Sequence, residues 1–308
     1  MKPLMKLLVG YDGSECADRA IEDLRRAGLP HEGEAIVLSA ADVWLWPPPE
    51  QEGAAAPPPK VEMTGLSESR RAAEQALEQA RQFAQRASER LREILPAWTV
   101  TPEALADSPA WALIKKSDEW KPDLLVIGSQ GRSALSRLVF GSVSEKVVTE
   151  ARCSVRVARG RAEVAEGPVR IAIGLDSSPN AEAAVAAVAR REWPSGSEAL
   201  LISVLDMMIM TSREWIEDFK EDEEAWGAKV TNGPIQQLTD AGLAVSSMIK
   251  RGDPKRIILE EADRWKAVSI FVGAIGLRGI EKFLLGSVAS SIAARAHCSA
   301  EVVRTPEQ

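Results

Sequence analysis

Two glycine-rich segments have a composition and spacing suited to binding an anion. In the first, GSQGRSALSRLVFGS, two residues separate Gly128 from Gly131 and nine separate Gly131 from Gly141. A strand-like apolar run precedes this segment and a helix-like sequence follows it, so we expect backbone N–H groups to point outward at a helix N-terminus. Glycine lets a phosphate approach the backbone, and Ser142 adds a hydroxyl. The segment therefore predicts a site for a polyphosphate.

The same glycines also have a purely structural interpretation, in which they serve only the turns and the packing of helices. The sequence leaves both interpretations open. Two other phosphate motifs are excluded: no G-x-x-x-x-G-K-[ST] occurs in the chain, and GAIGLRG (273–279) follows a late strand, whereas a dinucleotide fingerprint follows the first strand of its unit.

The glycine segment occurs twice, which indicates an internal duplication. Five residues recur at an offset of 145 (273 minus 128): Gly128, Gly131, Gly141, Ser142 and Cys153 return as Gly273, Gly276, Gly286, Ser287 and Cys298. Near the start of each half, Gly10 and Asp12 recur as Gly174 and Asp176 at an offset of 164 (174 minus 10). The first half therefore has 19 additional residues (164 minus 145), and the proline-rich segment 46–60, which we predict to be a solvated loop, accounts for most of them.

Each half alternates short apolar runs with amphipathic segments, which predicts a parallel sheet covered on both faces by helices. A stripe of mainly alanine predicts a long helix that opens after Ser67 and continues to Ile94; a coiled coil is the alternative interpretation of this stripe. The predicted organisation is two tandem α/β domains, residues 1–159 and 169–308, joined by the linker 160–168.

Composition narrows the classes of function. The 308 residues are 45% apolar and carry 38 basic and 45 acidic side chains, a net charge of −7, so nucleic acid is not an expected partner. Three cysteines suggest a reducing compartment. Two histidines leave little for a zinc site or a Ser-His-Asp triad. No apolar stretch reaches 18 residues, so we expect neither secretion nor membrane insertion but a cytoplasmic protein.

The combined motifs resemble the universal stress protein family. They are a first strand ending in VGYDGS (Val9–Ser14), the string GSQGRSALSRLVFGSVSEKVV and a closing ARCSVRV strand. The resemblance covers essentially the whole chain as two copies. It implies that each copy is an open five-stranded parallel sheet with helices on both faces, and that the protein binds ATP.

The resemblance also implies a role for each motif residue. Asp12 and Asp176 would approach the ribose and adenine, although an Asp at this position is also suited to capping the following helix. The phosphates would be held by Gly128, Gly131, Gly141, Ser142 and Val143 in the first half and by Gly273, Gly276, Gly286, Ser287 and Val288 in the second. Arg132 could add a contact to a terminal phosphate, and magnesium is expected to offset part of the nucleotide's charge.

These expectations describe an ATP-binding, stress-response module in which nucleotide occupancy orders loops and alters the surface offered to an unidentified protein partner. No general base with an evident nucleophile accompanies the glycines, so efficient hydrolysis is not predicted. Two alternatives stay open: a slow ATPase or self-phosphorylating enzyme that uses Ser133, Ser142 or Ser144, and a scaffold that has lost the ligand.

The two copies differ near the predicted site. Asp107 in the first half corresponds to Gly252 in the second and could repel a nucleotide, whereas the second copy has Ile275, Leu277 and Arg278 in place of Gln130, Arg132 and Ser133. The sequence therefore predicts at least one occupied site without ranking the halves.

The last strand of each half, 154–159 and 299–304, would leave an unpaired sheet edge. Family members typically dimerise through this strand, so the resemblance implies that the two halves pair as an intramolecular pseudo-dimer; a further homodimer stays open. Arg156 and Glu301 are equivalent (301 minus 156 is 145) and would meet as opposite charges, which favours pairing of unlike halves.

Overall fold

The structure is a computed structural model that describes residues 4–43, 63–131, 140–159, 167–205, 223–276 and 285–305. The first half contains β1 (Met5–Gly10), α1 (Glu15–Asp23), β2 (Gly33–Ala41), α2 (Met63–Ile94), β3 (Thr99–Ala106), α3 (Pro109–Trp120), β4 (Leu124–Gly128), α4 (Ser142–Glu150) and β5 (Ser154–Ala158). The second contains β6 (Arg170–Leu175), α5 (Pro179–Ala189), β7 (Glu198–Leu205), α6 (Glu223–Asp240), β8 (Ala244–Arg251), α7 (Pro254–Arg264), β9 (Ser269–Gly273), α8 (Ser287–Arg295) and β10 (Ser299–Val303).

The strands form one sheet in the order β3-β2-β1-β4-β5-β10-β9-β6-β7-β8. All neighbours within each half are parallel, and β5 pairs with β10 in the antiparallel direction. The predicted α/β class with two tandem parallel five-stranded units is confirmed, but the two sheets are joined into one ten-stranded sheet. Because β5 and β10 are antiparallel, the carboxyl ends of the strands lie at opposite edges of the sheet in the two halves.

The strands are apolar on both faces because helices cover both faces. All five residues of β4 are buried. The alanine stripe of α2 is buried against β2 and β3, which excludes the coiled-coil interpretation, and the helix begins at Met63, ahead of the predicted boundary at Ser67. Within the described ranges, no helix is long and apolar enough to cross a membrane.

The core is shared between the halves on one face of the sheet only. One cluster of buried side chains combines residues of both halves, among them Leu125 and Val155 with Ile270 and Ile292. On the other face each half has its own cluster, built around α1 and α2 in the first half and around α5 and α6 in the second. The halves are therefore joined by apolar packing on one face and by other contacts on the opposite face.

On the face where each half has its own cluster, a series of buried charged side chains joins the two halves. Arg156 of β5 is opposite Glu301 of β10, and their side chains form the predicted ion pair at 3.4 Å. Arg156 also binds Asp23 at 2.7 Å, and Glu301 also binds Arg191. The four side chains alternate in sign, which offsets the cost of removing each charge from water.

This series of charges is not symmetric between the copies. At the offset of 164 seen near the start of each half, Asp23 corresponds to Ala187 (23 plus 164) and Arg191 corresponds to Ala27 (191 minus 164). Each half thus supplies a different pair of charges, and pairing β5 with another β5 would bring two copies of Arg156 face to face. The asymmetry favours pairing of β5 with β10.

Removing the charge of Glu301 is expected to destabilise the fold strongly. Glu301→Gln leaves the buried Arg156 and Arg191 without their shared carboxylate, so the free energy of unfolding should fall by about 3–5 kcal/mol. Urea denaturation of the purified protein measures this. A double variant that exchanges the two charges, Arg156→Glu with Glu301→Arg, should not restore stability, because Asp23 and Arg191 would then face like charges.

The exposed pair Arg256–Glu260, at 2.8 Å, provides the control. Glu260→Gln should change stability by at most about 1 kcal/mol, because solvent screens the pair. A loss of similar size in Glu301→Gln would show that the buried charges are not a main source of cohesion between the halves.

Candidate functional site

In each half, the strand order changes direction between two neighbouring strands of the sheet. In the first half, β1 is followed by β2 and β3 on one side, whereas β4, its neighbour on the other side, is followed by β5. The second half repeats this arrangement at β6 and β9. Such a reversal opens a crevice at the carboxyl ends of the strands, where open α/β sheets bind ligands. Asp12 and the glycine loop after β4 flank this crevice.

Asp12 shapes the turn between β1 and α1. Its Oδ1 accepts a hydrogen bond from the Ser14 backbone amide at 3.0 Å, while Ser14 Oγ caps the helix by accepting from the Ala17 amide at 3.1 Å. The helix cap is therefore Ser14, and Asp12 holds the preceding turn. Asp176 accepts from the Ser178 amide at 3.1 Å in the same way.

The turn is the same in both halves although one glycine is replaced. Gly13 adopts a φ of 78° and the equivalent Ser177 a φ of 61°. The positive φ costs a serine roughly 1–2 kcal/mol relative to the right-handed region. That the second half keeps the turn despite this cost indicates that the position of the neighbouring carboxylate is preserved.

The second oxygen of each Asp faces the second glycine of the loop. A Cβ added to Gly131 would lie 3.0 Å from Asp12 Oδ2, and a Cβ added to Gly276 would lie closer still to Asp176 Oδ2. The fold thus brings together an acid and a glycine that are far apart in sequence, as the predicted site requires. The carboxylate lies closer to the glycine in the second half.

The first glycine of each loop allows close packing against a helix. A Cβ at Gly128 would lie 3.1 Å from Cys16 Sγ and 3.2 Å from the Cys16 backbone, and one at Gly273 would lie 2.5 Å from the carbonyl carbon of Asn180. Cys16 and Asn180 occupy the first turns of α1 and α5. At this position the packing of a helix, one of the two interpretations that the sequence left open, accounts for the glycine.

The third glycine places the N-terminus of α4 beside the loop. The Gly141 amide donates to the Ser129 carbonyl at 3.0 Å, and the Gly286 amide donates to the Ala274 carbonyl at 2.7 Å. The Gly141 amide is therefore not a free donor, contrary to our expectation for this residue. The candidate donors are the amides that follow, those of Ser142 and Val143, because a helix leaves its first N–H groups without intrahelical partners and a glycine cap has no side chain to satisfy them.

Ser144, one of the candidate phosphate acceptors, is buried and has a structural partner. Its Oγ donates to the Gly128 carbonyl at 2.8 Å, which ties the start of α4 to the end of β4. The equivalent residue in the second half is Ala289. Ser142 is exposed, whereas Arg132 and Ser133 lie outside the described residues, as do Leu277, Arg278 and the predicted loop 46–60.

The two loops differ in polarity. The first contains Ser129 and Gln130, whereas the second contains Ala274, which is buried, and Ile275, which packs against the shared apolar cluster. The second loop is therefore held by apolar contacts, whereas the first carries polar side chains, of which Ser129 Oγ lies 3.6 Å from Cys16 Sγ.

Asp107, expected to repel a nucleotide, has its charge offset in the structure. Lys115 Nζ donates to Asp107 Oδ2 at 2.6 Å, and this ion pair lowers the pKa of Asp107. The equivalent Gly252 has a φ of 139°, a conformation that Asp107 does not adopt, so the turns after β3 and β8 differ. The signal in the sequence was Lys115, two helical turns away on α3.

The two cysteines that recur in the repeat differ in burial. Cys298 is buried, and Cys153 is partly exposed and packs against the same shared cluster. Burial raises the pKa of the Cys153 thiol to about 11, which keeps it protonated at neutral pH. Among the described residues, no three His, Cys, Asp or Glu side chains form a group that could hold a metal ion.

The comparisons with known proteins agree on one family. A model of the universal stress protein family matches residues 3–159 and 169–304. Universal stress protein Rv2005c of Mycobacterium tuberculosis is 26% identical over 295 residues, which cover 93% of this chain and 92% of the relative.

A solved structure of full length has a similar fold. The crystal structure of a universal stress protein from Archaeoglobus fulgidus is 19% identical, with a TM-score of 0.59 and coverage of 97% of this chain and 96% of that one. A universal stress protein family protein from Arabidopsis thaliana, solved with AMP bound, is 21% identical over 44% of this chain and 92% of that one, with a TM-score of 0.31.

Alanine substitution should separate the packing glycines from the loop glycine. Gly128→Ala should lower the free energy of unfolding by about 1–3 kcal/mol, because its methyl group would press on the Cys16 backbone. Gly273→Ala should cost more, since the obstructing backbone atom is closer. Gly131→Ala should change stability by at most about 0.5 kcal/mol, because it meets only a side-chain oxygen. Thermal unfolding of the three variants tests the order, and equal losses would contradict it.

Proposed function

This chain belongs to the universal stress protein family, and we propose that its first half binds an adenine nucleotide, ATP in particular, and that occupancy regulates the surface it offers to a protein partner. One observation carries the proposal. At the crevice between β1 and β4, the Asp12 carboxylate faces the open side of Gly131, beside a helix whose glycine cap offers no side-chain acceptor.

The phosphates would bind at the start of α4. Ser142 and Val143 present backbone N–H groups there, and the helix dipole adds partial positive charge. Gly131 has no side chain to keep a phosphate from the backbone of the loop. Ser144 holds this geometry through its bond to the Gly128 carbonyl, so the donors are positioned before the ligand arrives.

The ribose would bind at Asp12. Because Oδ1 accepts from the Ser14 amide, the orientation of the carboxylate is set by the turn, and Oδ2 is directed toward the glycine loop. A carboxylate oxygen in this position can accept from a sugar hydroxyl. The same oxygen would repel a phosphate, so the phosphates belong on the α4 side of the crevice.

Magnesium fits this site as a companion of the nucleotide. Mg²⁺ usually takes one or two carboxylates together with phosphate oxygens and water, so an ion held by Asp12, directly or through water, would offset the repulsion between this carboxylate and phosphates on the α4 side. The described residues contain no ready-made group of three metal ligands. When bound, the ion would supply positive charge, which a triphosphate needs on a protein with a net charge of −7.

The first half is the better candidate of the two. Its loop carries Ser129 and Gln130, whereas the second loop carries two apolar residues, Ala274 and Ile275. In the second half the Asp176 carboxylate also lies closer to its glycine, which leaves less space for a ligand. The Lys115 partner partly offsets the charge of Asp107, the main electrostatic objection to the first half.

We propose a binding module and not an efficient enzyme. Ser144 is buried and bonded, so it is not available as a phosphate acceptor. Release of inorganic phosphate over hours, at a rate that Asp12→Asn abolishes, would favour the slow ATPase instead.

Nucleotide binding can be tested with a matched pair of variants. Wild-type protein should bind about one equivalent of ATP, more tightly with Mg²⁺ than without. Asp12→Asn should weaken binding about tenfold or more, a loss of about 1.4 kcal/mol or more, because it removes the charge while the remaining oxygen can still accept from Ser14. Isothermal titration calorimetry measures both the affinity and the stoichiometry.

Asp176→Asn is the control, since it makes the same change in the second half and should alter the affinity less than about twofold, within about 0.4 kcal/mol. Equal losses in the two variants would contradict the assignment to the first half. An absence of ATP binding by the wild type would favour the scaffold alternative.

A further inference from the structure

Two equivalent arginines cross from one half of the molecule to the other. Arg159 follows β5 and Arg304 follows β10, at the repeat offset of 145 (304 minus 159). The Arg159 amide donates to Ser299 Oγ at 2.9 Å, and the Arg304 amide donates to Ser154 Oγ at 3.2 Å. The backbone of each arginine is thus anchored to the first residue of the last strand of the other half.

Their side chains bind the C-termini of the last helices. Arg304 Nη2 donates to the Val148 carbonyl at 2.7 Å and to the Thr149 carbonyl at 3.3 Å, at the end of α4. Arg159 Nη2 donates in the same way to the carbonyls of Ala293 and Ala294, at the end of α8. The last carbonyls of a helix lack intrahelical partners and carry partial negative charge, so a guanidinium is a favourable cap.

Both arginines are partly buried, so these caps are expected to be stronger than contacts fully exposed to water. Burial lowers the pKa of Arg159 to about 10 and also lowers that of Arg304. Both remain charged at neutral pH, because an arginine guanidinium keeps its proton in proteins even when burial lowers its pKa. The positive charge is therefore present at each helix end under ordinary conditions.

The capped helices are the ones whose N-termini lie at the glycine loops. Helix α4 has nine residues, about 14 Å at 1.5 Å per residue, so its two ends belong to one short hydrogen-bonded element. Its N-terminus presents the Ser142 and Val143 amides, and its C-terminus is held by Arg304 from the other half. A shift at the C-terminus would therefore displace the amides at the N-terminus.

The second glycine loop is connected to the same arginine. The Ala274 amide donates to the Val303 carbonyl at 2.8 Å, immediately before Arg304. A continuous path of contacts thus runs from the loop after β9, through Val303 and Arg304, to the end of α4. The helices α4 and α8 also contact each other directly.

We propose that Arg304 is a positioning residue for the nucleotide site of the first half, and that it couples that site to the second half. It acts through α4 and does not touch the ligand. The inference rests on the proposed function of the first half. Because coupling between two sites is reciprocal, a nucleotide at α4 also strengthens the hold of α4 on Arg304 and the end of β10.

The repeat provides a matched pair of variants for the test. Arg304→Met and Arg159→Met each retain an apolar stem and remove the donors, at equivalent positions, so similar losses of stability are expected. ATP with Mg²⁺ should bind Arg304→Met about 5- to 20-fold more weakly than the wild type, within the usual range of coupling. Arg159→Met should bind within about twofold, since coupling below that factor is below about 0.4 kcal/mol. Arg304→Lys keeps a cation for the helix end and should recover most of the affinity.

Hydrogen exchange gives a readout that does not depend on ligand affinity. Without nucleotide, Arg304→Met should speed amide exchange in the last turn of α4, and Arg159→Met should do so in the last turn of α8. In the wild type, ATP should slow exchange at residues 299–305, which the proposed site does not contact. A purely structural role for Arg304 would leave exchange at 299–305 unchanged by ATP.

The outcomes separate the two proposals. If the wild type binds ATP and Asp12→Asn weakens binding, but Arg304→Met and Arg159→Met bind alike, the coupling is overturned and the nucleotide site stands. If Arg304→Met does not change exchange in α4, the positioning role is overturned whatever the ligand. If the wild type binds no ATP, the proposed function falls and the coupling falls with it.

Discussion

The antiparallel contact between β5 and β10 is the constraint on which the rest of the structure depends. It turns two five-stranded sheets into one, satisfies the backbone groups at both edges, and buries the four alternating charges Asp23, Arg156, Glu301 and Arg191. Buried charges are tolerated only when each has a partner, so this contact specifies its own register and its own pairing of unlike halves. Apolar packing on the opposite face provides the remaining cohesion.

The same contact determines how the two glycine loops relate to each other. Since the halves run in opposite directions across it, their loops lie at opposite edges of the sheet, and each last helix ends near the end of the other half's last strand. Arg159 and Arg304 use this geometry to cap α8 and α4. As a result, each half contacts the last helix of the other half. The N-terminus of that helix carries the backbone amides proposed as donors.

Duplication has also let the halves diverge. The turn after β1 is preserved at Ser177 despite its unfavourable φ, and the acid that precedes it still faces a glycine. The second loop, however, has become apolar, and the charge that follows β3 in the first half, on Asp107, is offset by Lys115. A preserved scaffold with one polar loop is the physical basis for assigning the ligand to the first half.

Much of this was contained in the sequence, because apolar periodicity and a repeat with constant offsets depend only on the order of residues. These features predicted the strands, the α/β class, the duplication and the Arg156–Glu301 pair. They could not separate the glycines by role, because packing and phosphate binding both favour glycine; only the tertiary structure showed Gly128 against Cys16 and Gly131 against Asp12. Nor could they predict Ser144, Lys115 or the crossing arginines, since those roles depend on which elements become neighbours. The order of the residues determined the helices and strands, and the pairing of β5 with β10 decided which residues each of them contacts.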